Sequence, residues 1–249
     1  MSDVSLNVDV TGLSIPIISV AMPVFNGEKY LEQAIDSILN QSFEEFEFII
    51  INDGSTDNSL KILQEYQKSD SRIILVSREN RNLATTLNEI IDLASGKWIA
   101  RMDQDDIAMP FRFERQLHWL DQTNADICGS WVQRFGTKDN RIVKFHENDE
   151  LIKAEMLFAS PFAHPSVMMK TEYLKKLRYD SEFEKAEDYD LWVRSVQAGC
   201  KMTNVPEVLI RYRVHSDQIT TRTYSIVQLQ AQKIRQKYWK YFFFMHAFK

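Results

Sequence analysis

The stretch IISVAMPVFNGEKYLEQAIDSILNQSFEEFEFIII, residues 17–51, changes twice between two hydrophobic patterns. Ile17–Met22 at its start and Phe46–Ile51 at its end are short, nearly continuous apolar runs rich in β-branched residues. Such runs are typical of strands in a parallel sheet that is covered on both faces. Between them, apolar residues recur every three or four positions from Tyr30 to Leu39, which predicts a helix. The stretch therefore predicts a β–α–β unit.

The same alternation continues as far as residue 102. Strands are predicted over Ile73–Val76 and Trp98–Met102, and helices over Leu60–Tyr66 and Leu83–Ala94. Asp57 is placed to be the N-cap of the first of these helices. The resulting order of strands and helices implies an α/β fold with right-handed crossovers and ligand binding beyond the carboxyl ends of the strands.

The second half of the chain has a less regular pattern. It predicts helices over Pro110–Gln122, Asp149–Phe158 and Asp188–Ala198, and strands over Ile127–Cys128, Trp131–Phe135, Ser166–Met169 and Val208–Val214. The sequence has no internal repeat and no Pro/Gly-rich linker. We therefore expect one domain over residues 1–222, followed by a C-terminal helix over residues 223–249.

Composition and charge exclude several classes of protein. Apolar residues make up 44% and charged residues 26% of the 249 residues, as in soluble globular domains. The net charge of -5 gives no support for nucleic-acid binding. Asp3 and Asp9 precede an apolar run, Ile15–Phe25, that is far shorter than the ~20 residues of a membrane-spanning helix. Two cysteines are too few for a disulfide framework, so we expect a cytoplasmic protein.

An acidic segment, Asp103-Gln104-Asp105-Asp106, directly follows the fourth predicted strand. Three carboxylates so close together repel one another unless a cation or hydrogen bonds offset the repulsion. Oxygen ligands of this kind suit Mg²⁺ or Mn²⁺, which in turn can hold a diphosphate. The alternative is a solvated acidic loop in front of the helix predicted near Pro110.

The ends of the first two strands offer weaker signals. After Pro23, the turn Asn26-Gly27 precedes a helix, and the backbone N–H groups of such a turn can hold a nucleotide. Asp53 ends the second strand, where its carboxylate can accept hydrogen bonds from a ribose or a base. An Asx-type turn that leads to the cap at Asp57 is the alternative reading of Asp53.

Further polar residues lie at element ends in the second half. Glu187 and Asp188 begin a predicted helix, where acids favour the helix dipole but can also serve as a general base. His215 ends a strand that carries arginines just before it, and it is either structural or part of a group that neutralises a diphosphate. His164 has the same two interpretations.

Six motifs follow one another along residues 15–220: SVAMPVFNGEKYLEQAIDSILNQSF, FIIINDGSTDNS, GKWIARMDQDD, HPSVMM, AEDYDLWVR and RYRVH. Their order and spacing resemble glycosyltransferase family 2, whose members have the GT-A fold, with a mostly parallel Rossmann-like sheet covered by helices on both faces. The likeness is greatest to bacterial enzymes that extend lipopolysaccharide, lipooligosaccharide or capsule chains. It implies inverting transfer of a hexose or N-acetylhexosamine, most often from a UDP-sugar, to a glycan or lipid-linked glycan.

The resemblance also implies roles for individual residues. On the donor side, these are a nucleotide-lining group (Pro23, Val24, Phe25 and Glu28), a contact to uracil or ribose (Asp53), a base or phosphate contact (Arg81) and a DxD motif that binds ribose and metal (Asp103, Gln104 and Asp105). The implied ligands of Mn²⁺ or Mg²⁺ are Asp105, Asp106 and His215. Asp188 matches the catalytic base, and Glu187 shapes the acceptor side.

One position departs from the family pattern. Members commonly have a glycine in the turn after the third strand, where this chain has Asn82. Because Asn tolerates the left-handed backbone conformation, we expect the turn to persist.

The C-terminal helix carries an apolar stripe and a separate charge pattern. The stripe comprises Val227, Ala231, Ile234, Tyr238, Tyr241 or Phe242, and Met245. From Ser225 onward there are five basic residues and no acidic ones, so this segment has a charge of +5 and the rest of the chain -10. Such a helix fits an anionic membrane surface, which would place the protein peripherally on the inner face of the cytoplasmic membrane. Packing on the domain or in a homodimer is the alternative.

Two other functions are compatible with carboxylates at strand ends. A metal-dependent sugar nucleotidyltransferase would also need them, although the Gly- and Lys/Arg-rich phosphate loop of such enzymes is missing near the N-terminus. A non-catalytic protein that binds sugar nucleotides would have no need of a base at Asp188.

Overall fold

The computed structural model describes residues 15–216, 218 and 223–247. Its strands are β1 (Ile18–Val24), β2 (Phe46–Asp53), β3 (Ile73–Arg78), β4 (Trp98–Arg101), β5 (Ile107–Ala108), β6 (Ile127–Phe135), β7 (Ile142–Val143), β8 (Met168–Lys170) and β9 (Met202–Arg213). Its helices are α1 (Leu31–Leu39), α2 (Ser59–Ser69), α3 (Leu83–Leu93), α4 (Arg112–Thr123), α5 (Asp149–Glu155), α6 (Thr171–Leu177), α7 (Glu187–Gln197) and α8 (Tyr224–Ala247). Short 3₁₀ turns span His164–Ser166 and Ser181–Phe183.

All of the strands belong to one sheet, in the order β3-β2-β1-β4-β8-β6-β9-β5, with β7 paired to β6. The first four strands are parallel, and β8 joins them to the second half by pairing antiparallel to β4. The chain moves outward from β1 to β3 and then returns to the other side of β1 as β4. The strand order therefore reverses between β1 and β4, and ligands of open α/β sheets bind at such a point.

Each face of the sheet has its own hydrophobic core. In β2, Phe48 and Ile50 point to the cluster that contains α1, α2 and α4, while Ile49 and Ile51 point to the cluster of α3, α6, α7 and α8. Because side chains alternate along a strand, only a nearly continuous apolar run can fill both faces. The α/β prediction and its mostly parallel sheet are therefore confirmed.

The apolar stripe of α8 packs on the protein's own domain. Ala231, Ile234 and Tyr238 are buried, and the Tyr238 hydroxyl donates a hydrogen bond to the Lys153 carbonyl at 3.0 Å. Trp239 Nε1 donates to the Leu157 carbonyl at 2.7 Å. Of the two interpretations of this stripe, the structure therefore bears out packing on the domain. The side chain of Met245 and the proposed boundary at residue 222 lie outside the described residues.

Several boundaries differ from the sequence predictions. The predicted strands at Ile127–Cys128 and Trp131–Phe135 are one strand, β6, because a register irregularity around Trp131 keeps both parts paired to β9. Helix α5 ends at Glu155, three residues earlier than predicted, and α6 was not predicted. In α2 the N-cap position belongs to Asn58, although Asp57 Oδ1 does accept the Ser59 N–H at 2.9 Å. Among the described residues, no helix is both long and apolar enough to cross a bilayer.

Candidate active site

The loops after β1 and β4 meet where the strand order reverses. The Phe25 N–H donates to Gln104 Oε1 at 2.8 Å, and Gln104 Nε2 donates to the Phe25 carbonyl at 3.0 Å. A Cβ at Gly27 would lie 2.7 Å from Gln104 Oε1, so any other residue there would push the Gln104 amide out of this joint. Gln104, predicted as a donor contact, therefore uses its side-chain amide to join the two loops. Pro23 and Val24 are buried in the end of β1, while Phe25 is exposed beside this joint.

The loop after β1 also holds the loop after β2 through reciprocal hydrogen bonds. The Glu28 N–H donates to Asp57 Oδ2 at 3.0 Å, and Glu28 Oε2 accepts the Asn58 N–H at 2.9 Å. Asn26 Oδ1 accepts the Thr56 N–H at 2.8 Å. The Glu28 carboxylate therefore supports the start of α2 and fixes the shape of the two loops.

Asp53 is buried at the end of β2 and engaged with the loop after β3. Its Oδ1 accepts the Arg81 N–H at 2.8 Å and forms an ion pair with Arg78. The predicted Asx-type contact belongs to Asn52, whose Oδ1 accepts the Ser55 N–H at 3.4 Å. Asp53 thus shapes this corner of the cleft through Arg78 and the backbone at Arg81, and its contact with a base or ribose stays a prediction.

Asn82 has a positive φ of 72° with ψ of 162°. This extended region of positive φ is populated almost entirely by glycine, which explains the glycine of the resembled pattern. The Asn82 side chain accepts the Thr85 N–H at 3.0 Å and so caps α3. The turn persists as expected, although its backbone conformation is not the left-handed helical one.

The acidic segment brings three carboxylates together beyond β4. Ligand atoms of Asp103, Asp105 and Asp106 all lie within 4.8 Å of one another. Asp106 is 1% exposed; its Oδ1 accepts the Arg213 N–H at 2.7 Å, while its Oδ2 is buried with no partner among the described residues. Burial, together with the charges of Asp103 and Asp105, holds the pKa of Asp106 well above its usual range. A divalent cation offsets both the repulsion and the unpaired oxygen, so the three residues fit Mg²⁺ or Mn²⁺.

Arg213, the last residue of β9, and His215, two residues beyond it, support this acidic cluster. His215 Nε2 lies 2.7 Å from Asp105 Oδ2, and Arg213 Nε donates to the Asp105 carbonyl at 2.7 Å. The Arg213 guanidinium lies 4.1 Å from the centre of the Tyr30 ring. Histidine in contact with a ligating carboxylate orients that carboxylate. The structure thus places His215 against Asp105, and its direct ligation of the metal stays a prediction.

Arg101, the last residue of β4, interacts with both groups of acids. It is 4% exposed, and its Nη2 donates to Asp103 Oδ1 at 2.6 Å. Its positive charge also favours the ionised forms of Glu187 and Asp188 and so lowers their pKa values. Burial raises the same pKa values by more, so both remain above their usual range. Arg101 could not be recognised from the sequence, because an arginine at the end of an apolar strand gives no pattern. Asp103 is its neighbour in the chain, whereas Glu187 and Asp188 come from a distant part of it.

Glu187 and Asp188 lie in the first turn of α7 and face the same cleft. Burial raises the pKa of Asp188 to about 6, and the charge of Asp103 adds to this effect. Burial and the neighbouring Asp188 raise the pKa of Glu187 to about 8. Of the two acids, Asp188 therefore loses its proton at the lower pH, and Glu187 keeps its proton to a higher pH. This division suits a general base beside a hydrogen-bond donor.

His164 lies behind these acids in an aromatic setting. Its Nε2 is 2.9 Å from the Tyr179 hydroxyl, and its ring centroid lies 6.0 Å from that of Trp192. Burial and the charge of Arg101 hold the pKa of His164 well below its usual range. An uncharged, hydrogen-bonded histidine in this position supports the structural interpretation of His164.

Comparison with known proteins agrees with this geometry. A family model described as glycosyl transferase family 2 matches residues 19–178. An uncharacterized glycosyltransferase of Methanocaldococcus jannaschii is 34% identical over 250 aligned positions, which cover 92% of this chain and 86% of the relative. The O-antigen biosynthesis glycosyltransferase WbnJ of Escherichia coli is 31% identical, with 88% of each chain covered.

Solved structures resemble the fold at lower identity. The structure of S. aureus TarS in complex with UDP has a TM-score of 0.68 at 18% identity and covers 91% of this chain and 71% of its own. The structure of the mannosyltransferase PcManGT from Pyrobaculum calidifontis, in complex with GDP-Man and Mn²⁺, has a TM-score of 0.68 at 18% identity. The match covers 88% of this chain and 63% of the mannosyltransferase chain. These likenesses show that the fold is of the GT-A type.

Proposed function

The chain belongs to glycosyltransferase family 2, and on this premise we propose that it transfers a hexose or N-acetylhexosamine from a UDP-sugar to a glycan hydroxyl, with inversion. The observation that carries the proposal is the pair of acidic groups on either side of Arg101. Asp103, Asp105 and Asp106 lie at the strand ends, and Glu187 and Asp188 lie on α7. One group suits a diphosphate and its cation, and the other suits an attacking hydroxyl.

Each acidic residue has a distinct task in this proposal. Asp105 and Asp106, with Asp103 beside them, would hold Mn²⁺ or Mg²⁺, which when bound neutralises charge on a departing diphosphate. Asp188 accepts the proton of the acceptor hydroxyl at a carboxylate oxygen. Glu187, protonated near neutral pH, donates a hydrogen bond on the acceptor side. Attack by the hydroxyl on the anomeric carbon, opposite the leaving UDP, inverts that centre.

The donor side of the cleft is held rigid before any ligand binds. Gln104 joins the loops of β1 and β4, and Glu28 and Asp57 join those of β1 and β2. Phe25 is exposed at this joint and is free of core packing on its outer side, which suits contact with a nucleobase. A preformed donor site reduces the ordering cost of binding.

A UDP-release assay with a panel of UDP-sugars and a glycan acceptor tests the proposal. Replacing Asp188 with Asn should lower turnover by about 10²–10⁴-fold and leave UDP affinity nearly unchanged, because the base acts only in the chemical step. Asp121→Asn, at an exposed carboxylate of α4, is the matched control and should keep full turnover.

Wild-type turnover in the Asp188 variant would refute the assigned base. Release of pyrophosphate from a nucleoside triphosphate would instead identify a nucleotidyltransferase, and binding without turnover a binding protein.

We also propose that the enzyme works on a lipid-linked acceptor at the inner face of the cytoplasmic membrane, in synthesis of a cell-surface polysaccharide. Support comes from an aromatic surface formed by Phe158, Trp239, Phe243 and Phe244, of which Phe243 is 62% and Phe158 70% exposed. Arg235 lies beside it, with Nη1 donating to the Phe158 carbonyl at 3.2 Å. Exposed aromatic rings with adjacent cations favour an anionic membrane interface.

Flotation with anionic liposomes tests the aromatic surface. The triple variant Trp239→Ser, Phe243→Ser, Phe244→Ser should lose flotation, since it removes the rings that enter the interface. Leu93→Ser, Phe111→Ser, Ile142→Ser changes three other exposed apolar residues and is the control. Equal flotation of both variants would refute membrane binding through α8. Truncation before α8 is less informative because Tyr238 belongs to the core.

A further inference from the structure

A second pocket lies outside the strand-end cleft, between α8 and the 3₁₀ turn Ser181–Phe183. We call it the lysine pocket; its lining includes Lys233, Lys237, Lys240, Gln230, Gln236 and Phe183. The Lys237 Nζ lies 4.4 Å from the centre of the Phe183 ring, which forms part of its floor. The pocket is concave, and every side chain that α8 contributes to its lining is a lysine or a glutamine.

The lysine pocket has a large excess of positive charge. The three lysines are spaced by four and three residues, so they project from successive turns on one side of the helix. None of them forms an ion pair with another described residue, and Glu182 is the one acid in the lining. Like charges on neighbouring turns repel and destabilise a helix. A bound anion would remove this repulsion, and the Gln236 amide supplies a further hydrogen-bond donor. The Gln230 amide instead bonds to the backbone of Lys185 and Glu182.

The lysine pocket is also joined to the helix that carries the proposed base. The Lys185 N–H donates to Gln230 Oε1 at 3.0 Å, and Lys185 lies two residues before Glu187. Burial raises the pKa of Asp190 in the first turn of α7, and the charge of Lys237 lowers it in part. The pocket therefore borders the segment that leads into α7, the helix that carries Glu187 and Asp188.

We propose that the lysine pocket binds a phosphate group carried by the acceptor substrate. This inference rests on the proposed transferase function, because it assigns the pocket to the second substrate of that reaction. A phosphate held by the three lysines would lie next to the segment that leads into Glu187 and Asp188. The ligand class is a phosphate mono- or diester, which either a lipid headgroup or a soluble sugar phosphate can supply.

Calorimetric titration of the full chain with inorganic pyrophosphate tests the pocket directly. The titration is run in EDTA at low ionic strength, so that no metal contributes and charge interactions are little screened. Lys233→Gln, Lys237→Gln, Lys240→Gln should weaken binding by about tenfold or more, because it removes the charges that hold the phosphate. Lys61→Gln, Lys68→Gln, Lys138→Gln removes equal charge from exposed lysines elsewhere and should bind as the wild type does.

Two outcomes of this titration would overturn the inference: no binding of pyrophosphate to the wild type, or equal binding by both triple variants. Titration with hexyl phosphate and inorganic phosphate then distinguishes the sources. Tighter binding of hexyl phosphate supports a lipid-borne phosphate, and equal binding supports a soluble one. Because no sugar is transferred in these measurements, failure of the transferase assay would refute the proposed function without altering the binding result.

Discussion

The pH dependence of transfer provides the sharpest test of the proposed base. Asp188 has a pKa raised to about 6 by burial, and a general base acts only when it is deprotonated. Below that pKa, each pH unit should lower kcat/KM about tenfold, since the ionised fraction falls in proportion. At pH 5 the rate should therefore be about one tenth of its plateau value. The plateau should begin between pH 6 and 7.

The alkaline limb of the same profile reports on Glu187. Its pKa is raised to about 8, so above that pH a second negative charge appears beside Asp188 and the donated hydrogen bond to the acceptor is lost. We expect kcat/KM to fall there. Glu187→Gln should abolish this fall, because glutamine stays uncharged. It should leave the acid limb near pH 6, where Glu187 is already protonated.

The assay is initial-rate UDP release at saturating Mn²⁺ from pH 5 to 9, with UDP affinity measured at each pH. The affinity control separates loss of the base from loss of the metal site, whose carboxylates also have raised pKa values. A kcat/KM value that stays flat from pH 5 to 7 would refute the role of Asp188. An unchanged alkaline limb in Glu187→Gln would refute the role of Glu187.

Three further predictions concern the fold and the donor side. Gly27→Ala and Gln104→Ala should each raise the KM for UDP-sugar, because a Cβ 2.7 Å from Gln104 Oε1 breaks the same joint to Phe25 that loss of the amide removes. The KM of the double variant should be no higher than that of either single variant. Asp106→Asn should raise the melting temperature of the metal-free protein at pH 7, since it removes a buried carboxyl group whose pKa is raised. It should also reduce the increase in melting temperature that Mn²⁺ causes, and an unchanged increase would exclude Asp106 as a ligand. Tyr238→Ala should lower the free energy of unfolding by about 3–5 kcal/mol, as measured by urea denaturation, whereas a loss below 1 kcal/mol would contradict core packing of α8.

The first half of the fold was predictable because its physical requirements are local. A strand covered on both faces must be apolar at almost every position, so β2 is visible in FEFIII. The helices between these strands bury one stripe each, which leaves a clear periodicity in the sequence. The acids at the end of β4 were found for the same reason, since position after a strand places them at the ligand-binding edge.

The second half was less predictable because its elements depend on tertiary contacts. Helix α6 is only seven residues long and has two lysines in its last turn, so its hydrophobic pattern is too short to recognise. Strand β6 continues through an irregularity that depends on pairing with β9. Arg213 matters through Asp106, which lies 107 residues away in the chain, and Arg101 matters through its charge near Glu187 and Asp188. The sequence likewise does not show whether the Asp53 carboxylate contacts a ligand or an arginine. The answer depends on the position of the Arg78 side chain, which is set by the folded structure.

The order of the chain has a consequence for synthesis of this protein. The acidic segment emerges from the ribosome directly after β4, but Arg213 and His215, which contact Asp106 and Asp105, follow 107 and 110 residues later. Helix α7, which carries Glu187 and Asp188, shares a hydrophobic cluster with the still later helix α8. Both groups of acids therefore reach their final arrangement only after β9 and α8 have been made.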